Sequence, residues 1–211
     1  MKPLADCRLY AFVDTAYLRE RKPETIARQL CDGGADLIQL RAKNSSLEGV
    51  RKMAEAILPI TAQAGVGLVI NDHFALARDI GAELCHLGQE DFFDADFSHV
   101  SELRGRASTR IGLSTHAPEQ ALRAVGAGAD YVAIGPVFAT GTKPGAKPVT
   151  LEYVRWAAAN ISVPWFAIGG INLANLDEVL AAGARRICVV SAILNQPDIA
   201  RACAEFRKRL S

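Results

Sequence analysis

The sequence predicts an α/β protein, a closed (β/α)8 barrel of the TIM type forming a single domain over residues 1–211. Three observations predict it. Short, nearly continuous apolar runs alternate with longer amphipathic stretches. The apolar runs lack in/out alternation, which marks parallel strands covered by helices. A short Gly-Ala signature also recurs. "GGAD" (33–36), "IGAE" (80–83), "AGAD" (127–130) and "AGAR" (182–185) each stand between a helix and the next strand. Their glycines, Gly34, Gly81, Gly128 and Gly183, lie 47, 47 and 55 residues apart. About 47 residues is two βα units, and four such pairs make the eight that close a barrel. A doubly wound open sheet is the rival topology; the regular spacing favours closure.

The candidate strands in order are "LYAFVDT" (9–15), "LIQLR" (37–41), "GLVIND" (67–72), "LCHLG" (84–88), "RIGLST" (110–115), "YVAIGPV" (131–137), "PWFAIGG" (164–170) and "RICVVSAI" (186–193). "SLEGVRKMAEAILPITAQAG" places Leu47, Val50, Met53, Ala54 and Ile57 at helical spacing, with Ser45 or Ser46 as N-cap. "APEQALRAVGAG" puts Pro118 in a first turn, where a missing N–H costs nothing. "NLANLDEVLAAGA" is capped by Asn172 or Asn175 and stops at Gly183. "QEDFFDADFSHVSELRG", after the fourth strand, is the least helical connection and predicts a loop followed by a short helix.

Composition narrows the function classes. The chain is 50% hydrophobic, enough to bury a core without disulfide or metal staples. Lys plus Arg number 24 against 23 Asp plus Glu, so no nucleic-acid face is expected. No apolar run is long enough to span a bilayer, and the first residues lack the pattern of a secretory leader. The five cysteines, Cys7, Cys31, Cys85, Cys188 and Cys203, form no CxxC pair. Cys85 and Cys188 sit in apolar runs, where Cys packs as a small hydrophobe. A reduced, cytoplasmic setting is the simplest expectation.

In such a barrel the chemistry lies at the C-terminal ends of the strands. The second strand ends in Gln39, Arg41 and Lys43, which alternation puts on one side. Two cations and an amide there suit a multiply charged anion; a solvated loop start is the alternative. The third strand ends in Asn71 and Asp72, and Gln89, Glu90 and Asp91 follow the fourth. A single aspartate at such a place reads as a helix cap. Asp72 and Asp91 on neighbouring strands would repel, and a hard divalent cation removes the conflict. The fifth strand offers Ser114, with His116 beyond it as either a general acid–base group or a helix-start residue. His73 and His86 read as packing or loop residues, and no histidine pair has zinc-ligand spacing.

The stretch "GPVFATGTKPGAKP" (135–148) follows the sixth strand. Thr140 and Thr142 can donate to phosphate oxygens, Gly141 lets backbone come close, and Lys143 adds a point charge. Gly145, Pro144 and Pro148 suit a loop that folds over a ligand, with Lys147 toward solvent. Gly169 and Gly170 after the seventh strand, and Ser191 and Ala192 after the eighth, occupy the usual phosphate position of this fold. The site is thus expected to hold two anions, one of them with a metal.

"QLRAK", "INDHFALA", "HLGQED", "GLSTH", "DYVAIGPVFATGTKPGAKP", "FAIGGI" and "VVSAI" resemble, in order and spacing, the thiamine-phosphate synthase (thiamine-phosphate pyrophosphorylase) family, from about Leu9 to Ile193. The resemblance implies a (β/α)8 transferase of thiamine biosynthesis. Such enzymes join a hydroxymethylpyrimidine diphosphate to a thiazole phosphate, giving thiamine monophosphate and pyrophosphate with Mg2+ as cofactor. It implies that Asp72 and Asp91 hold the metal, and that Gln39, Arg41, Lys43, Asn71 and Lys143 meet the pyrimidine diphosphate. It further implies that Ser114 contacts the pyrimidine, and that Thr140, Thr142, Gly170, Val190 and Ser191 hold the thiazole phosphate. Arg41, Lys43, Lys143 and Ser114 are the expected catalytic set, acting on a carbocation-like pyrimidine. Partners are then small molecules, with a homo-oligomer left open. Many relatives carry Arg where this chain has His73. A sister family of thiazole tautomerases has a histidine comparable to His116, and a non-catalytic phosphate-binding barrel is a further alternative.

Overall fold

In the computed structural model, which describes residues 1–140 and 148–210, eight parallel strands close into a barrel in sequence order. They are β1 (Leu9–Asp14), β2 (Leu37–Arg41), β3 (Gly67–Asn71), β4 (Leu84–Leu87), β5 (Arg110–Thr115), β6 (Tyr131–Ile134), β7 (Trp165–Ile168) and β8 (Ile187–Cys188). Around them run α1 (Pro23–Asp32), α2 (Leu47–Ala64), α3 (Phe74–Asp79), α4 (Gln89–Phe92), α5 (Val100–Arg104), α6 (Pro118–Gly126), α7 (Thr150–Asn160), α8 (Leu176–Ala181), α9 (Ser191–Leu194) and α10 (Ile199–Arg209). Every residue of β1 and β3 is buried, as expected of strands packed on both faces.

The repeated Gly-Ala signature has a structural cause. Gly34, Gly81, Gly128 and Gly183 have φ of 81°, 73°, 81° and 101°, a left-handed turn that returns the chain to the barrel. The acidic residue that closes three of the four copies staples the preceding strand. Asp36 Oδ2 accepts from the N–H groups of Arg8 (2.6 Å) and Leu9 (3.0 Å) at the start of β1. Glu83 accepts from Leu68 N–H in β3 at 3.1 Å, and Asp130 from Ile111 N–H in β5 at 2.7 Å. The fourth copy has Arg185 in that place.

Four expectations are refined. Ser46, rather than Ser45, caps α2, accepting from Gly49 N–H at 3.2 Å. α4 begins directly after Gly88, with no loop before it, because Asp91 accepts the Gly88 N–H at 3.0 Å and closes the turn. β6 ends at Ile134 because Pro136 has no N–H to give the ladder. The chain nevertheless follows β7, through Val137 N–H to the Ile168 carbonyl (2.8 Å) and Phe138 N–H to the Gly169 carbonyl (3.0 Å). The last apolar run divides: β8 pairs over two residues, and Ser191 opens α9.

Candidate active site

A cavity of about 300 Å³ opens at the C-terminal ends of the strands. Gln39, Arg41, Lys43, Asn71, Asp72, Asp91, Ser114, Thr140, Gly170, Val190 and Ser191 all line it, although they come from seven βα units. Thr142 and Lys143, with Gly141, Pro144, Gly145 and Lys147, lie outside the described residues. His116 also lines the cavity; exposed His73 does not.

The charged side of the mouth is paired within itself. Arg41 donates to Asp14 at 2.8 Å, and Asp14 is only 1% exposed. The other oxygen of Asp14 accepts from Ala16 N–H at 2.9 Å, so this carboxylate is fixed and aims the guanidinium. Lys43 meets Asp72 at 3.0 Å. Asp72 holds a left-handed backbone, φ 64°, with its N–H on the His86 carbonyl at 2.9 Å. Asp is among the few side chains that tolerate that conformation. Asp91 both caps α4 and lines the cavity, so the capping and site readings of this residue coincide. Glu90 lines it too.

The interior side is neutral and polar. Ser114 Oγ lies 2.9 Å from His86 Nε2, and His86 Nδ1 lies 3.1 Å from the Tyr131 hydroxyl. Tyr131 and Tyr10 hydroxyls are 3.2 Å apart, and Gln39 Nε2 donates to Tyr10 at 2.5 Å. Burial pushes the His86 pKa down to about 4 and both tyrosines well above their ordinary value. His86, which the sequence reads as packing or loop, is therefore a cavity-lining group bonded to a site serine. The signal for it is a lone histidine inside the otherwise apolar strand "LCHL". Asp14 at the tip of β1 gives no comparable signal. His116 has Nδ1 against the Gly135 carbonyl and its N–H on Gln120, which pins the ring at the start of α6.

At the opposite side, Gly169 and Gly170 have φ of 104° and 66°. A Cβ on Gly169 would lie 2.4 Å from Pro136 Cα, and one on Gly170 2.6 Å from the Ala139 carbonyl oxygen. The two glycines let the segment after β6 lie directly on the tip of β7, which places Thr140 beside Gly170 at the cavity wall.

No group of three or more His, Cys, Asp and Glu side chains among the described residues could hold a metal by itself. Mg2+ typically takes one or two protein carboxylates and fills its shell with water and substrate phosphate oxygens, and Asp72 and Asp91 are carboxylates that line the cavity.

The barrel and its convergent mouth define a (β/α)8 enzyme. Residues 9–193 match the thiamine monophosphate synthase family, and the chain belongs to that family. It is 48% identical over 179 residues to a thiamine-phosphate synthase of Thermus thermophilus, covering 84% of each chain. A thiamine-phosphate synthase of Lawsonia intracellularis is 38% identical, over 97% of this chain and 93% of its own. A solved thiamine phosphate pyrophosphorylase from Pyrococcus furiosus superposes with a TM-score of 0.86 at 28% identity, covering 99% and 98% of the two chains. No helix among the described residues is long and apolar enough to cross a membrane.

Proposed function

We propose that this chain joins a 4-amino-2-methyl-5-hydroxymethylpyrimidine diphosphate to a thiazole phosphate, forming thiamine monophosphate and releasing pyrophosphate. One observation carries the reading. The charged side chains of Arg41, Lys43, Asp72 and Asp91 share a single cavity with the wall formed by Gly170, Val190 and Ser191. That gives room for a diphosphate at one side and a monophosphate at the other.

The C–O bond between the pyrimidine methylene and the diphosphate breaks, and its electron pair leaves on the pyrophosphate. The thiazole nitrogen then gives its lone pair to form the new C–N bond. Arg41, aimed by Asp14, and Lys43 neutralise charge that grows on the departing oxygen. Lys43 is available once the diphosphate competes with Asp72 for it. Gln39 and Ser114 hold the edge of the pyrimidine, and Asn71 stands beside the diphosphate. Thr140, Thr142, Gly170, Val190 and Ser191 hold the thiazole phosphate, and Lys143 joins Arg41 and Lys43 on the diphosphate. Asp72 and Asp91 would hold Mg2+, which would supply charge neutralisation to the same leaving group. Gly135, Pro136 and Thr140, which wall the cavity, help keep water from a carbocation-like methylene.

The test is pyrophosphate release on incubation with both substrates and Mg2+. Release that requires both substrates supports the reading; no release overturns it. Arg41→Ala or Asp91→Ala should abolish release while His116→Ala leaves most of it. The reverse order on a thiazole carboxylate phosphate would identify a tautomerase instead.

A further inference from the structure

Five residues from five strands make one unbroken hydrogen-bonded chain across the barrel interior: Gln39, Tyr10, Tyr131, His86 and Ser114. Its links are 2.5, 3.2, 3.1 and 2.9 Å long. The four members other than Ser114 are at most 8% exposed, so each of their polar groups is satisfied chiefly by its neighbour in the chain. Both ends, Gln39 and Ser114, face the cavity.

Proton counting along this chain has a definite outcome. Gln39 Nε2 donates to Tyr10, so the Tyr10 hydroxyl hydrogen goes to Tyr131. Tyr131 then spends its own hydrogen on His86 Nδ1. The imidazole proton must therefore sit on Nε2 and point at Ser114 Oγ. Ser114 accepts from the protein and keeps its hydroxyl hydrogen for the ligand. Gln39, its amide N–H directed inward, turns its carbonyl oxygen to the cavity. A doubly protonated His86 would leave the Tyr131 hydrogen without an acceptor in the core, which such interiors rarely allow.

We infer that Tyr10, Tyr131 and His86 are positioning residues that fix Ser114 as a hydrogen-bond donor and Gln39 as an acceptor, so that the cavity selects a heteroaromatic edge carrying a bare ring nitrogen beside an amino group. The inference rests on the proposed function for the identity of that ligand. The proton arrangement itself belongs to the free protein.

The experiment has two arms on the full chain. Imidazole 15N NMR, with His86 identified by comparison with His86→Gln, should show Nε2 protonated and Nδ1 bare. An Nδ1-protonated ring overturns the inference. In the second arm, kcat/KM is compared between the pyrimidine diphosphate and an analogue with the ring nitrogen facing Ser114 replaced by C–H. Wild type should favour the pyrimidine, and Tyr131→Phe should reduce that preference about tenfold, the worth of one directed hydrogen bond. Ser114→Ala should cost the same, and the double variant no more than either. Losses that multiply overturn the coupling. If Tyr131→Phe does not fold, Tyr10→Phe interrupts the chain one link away and should give the same result. Failure of pyrophosphate release in wild type would strike the proposed function and leave the NMR arm standing.

Discussion

Replacing Asp14 with Ala tests how the mouth holds its arginine. Asp14 is buried, and the Arg41 side chain is 20% exposed, so their 2.8 Å pair sits largely out of water. At an effective dielectric of 20 the gross attraction is about 6 kcal/mol, most of it offset by the cost of stripping water from both ions. Truncation leaves a guanidinium without its partner and removes the cap on Ala16 N–H. The expected destabilisation is about 2 kcal/mol, which for a chain of this size lowers Tm by about 4–8 °C. A mis-aimed Arg41 loses a charge-assisted bond to the departing diphosphate, about 2 kcal/mol or roughly 30-fold in kcat/KM for that substrate. KM for the thiazole phosphate, held at the other wall, should not change. Steady-state pyrophosphate release with each substrate varied, alongside thermal unfolding, reads both effects. Wild-type kcat/KM in Asp14→Ala, or an equal rise in both KM values, would refute the argument.

Other predictions concern separate parts of the barrel. Gly170→Ala forces a Cβ to within 2.6 Å of the Ala139 carbonyl at φ 66°, and should raise KM for the thiazole phosphate at least tenfold with little change for the diphosphate. Asp36→Ala removes the acceptor for Arg8 and Leu9 N–H and for Lys2 and Arg207, and should cost about 3 kcal/mol in urea unfolding while kcat of the folded enzyme holds. His86 gives a pH signature, since burial lowers its pKa from 6.5 to about 4. Between those values the unfolded chain binds a proton that the folded chain refuses. Stability should therefore fall as pH drops through that window, by about 3 kcal/mol in all, and stay level above it. Subtracting the profile of His86→Gln in metal-free buffer isolates this slope; identical profiles would contradict it.

Much of the barrel was legible because its signals are local. Apolar runs, Pro118 at a helix start and glycines at a fixed period all reflect backbone geometry within a few neighbouring residues. The strand tips were legible for the same reason, since alternation alone puts Gln39, Arg41 and Lys43 on one side. Interactions between distant segments were hidden. Nothing near Asp14 announces that it will hold Arg41, and nothing near His86 announces Tyr131 across the barrel. Gly112 is of the same kind: a Cβ there would fall 2.0 Å from the Tyr131 ring, so the tyrosine that links Tyr10 to His86 needs a bare strand residue beside it. Aspartates at turns are ambiguous for a different reason. Asp91 caps a helix and faces the cavity with the same side chain, so the two readings never competed.

The acid staples bear on how the hoop comes apart. β1 and β2 register over five partners, whereas β8 meets β7 and β1 over two each, and the fourth Gly-Ala copy offers Arg185 in place of a carboxylate. Local opening is cheapest where the fewest bonds must break. The eighth stave is thus the natural hinge of the ring, and its joint with the seventh lies between the tip that carries Gly170 and its own, which carries Ser191. A phosphate gripped from both tips would rivet the ring shut, and letting go of it would loosen the same joint.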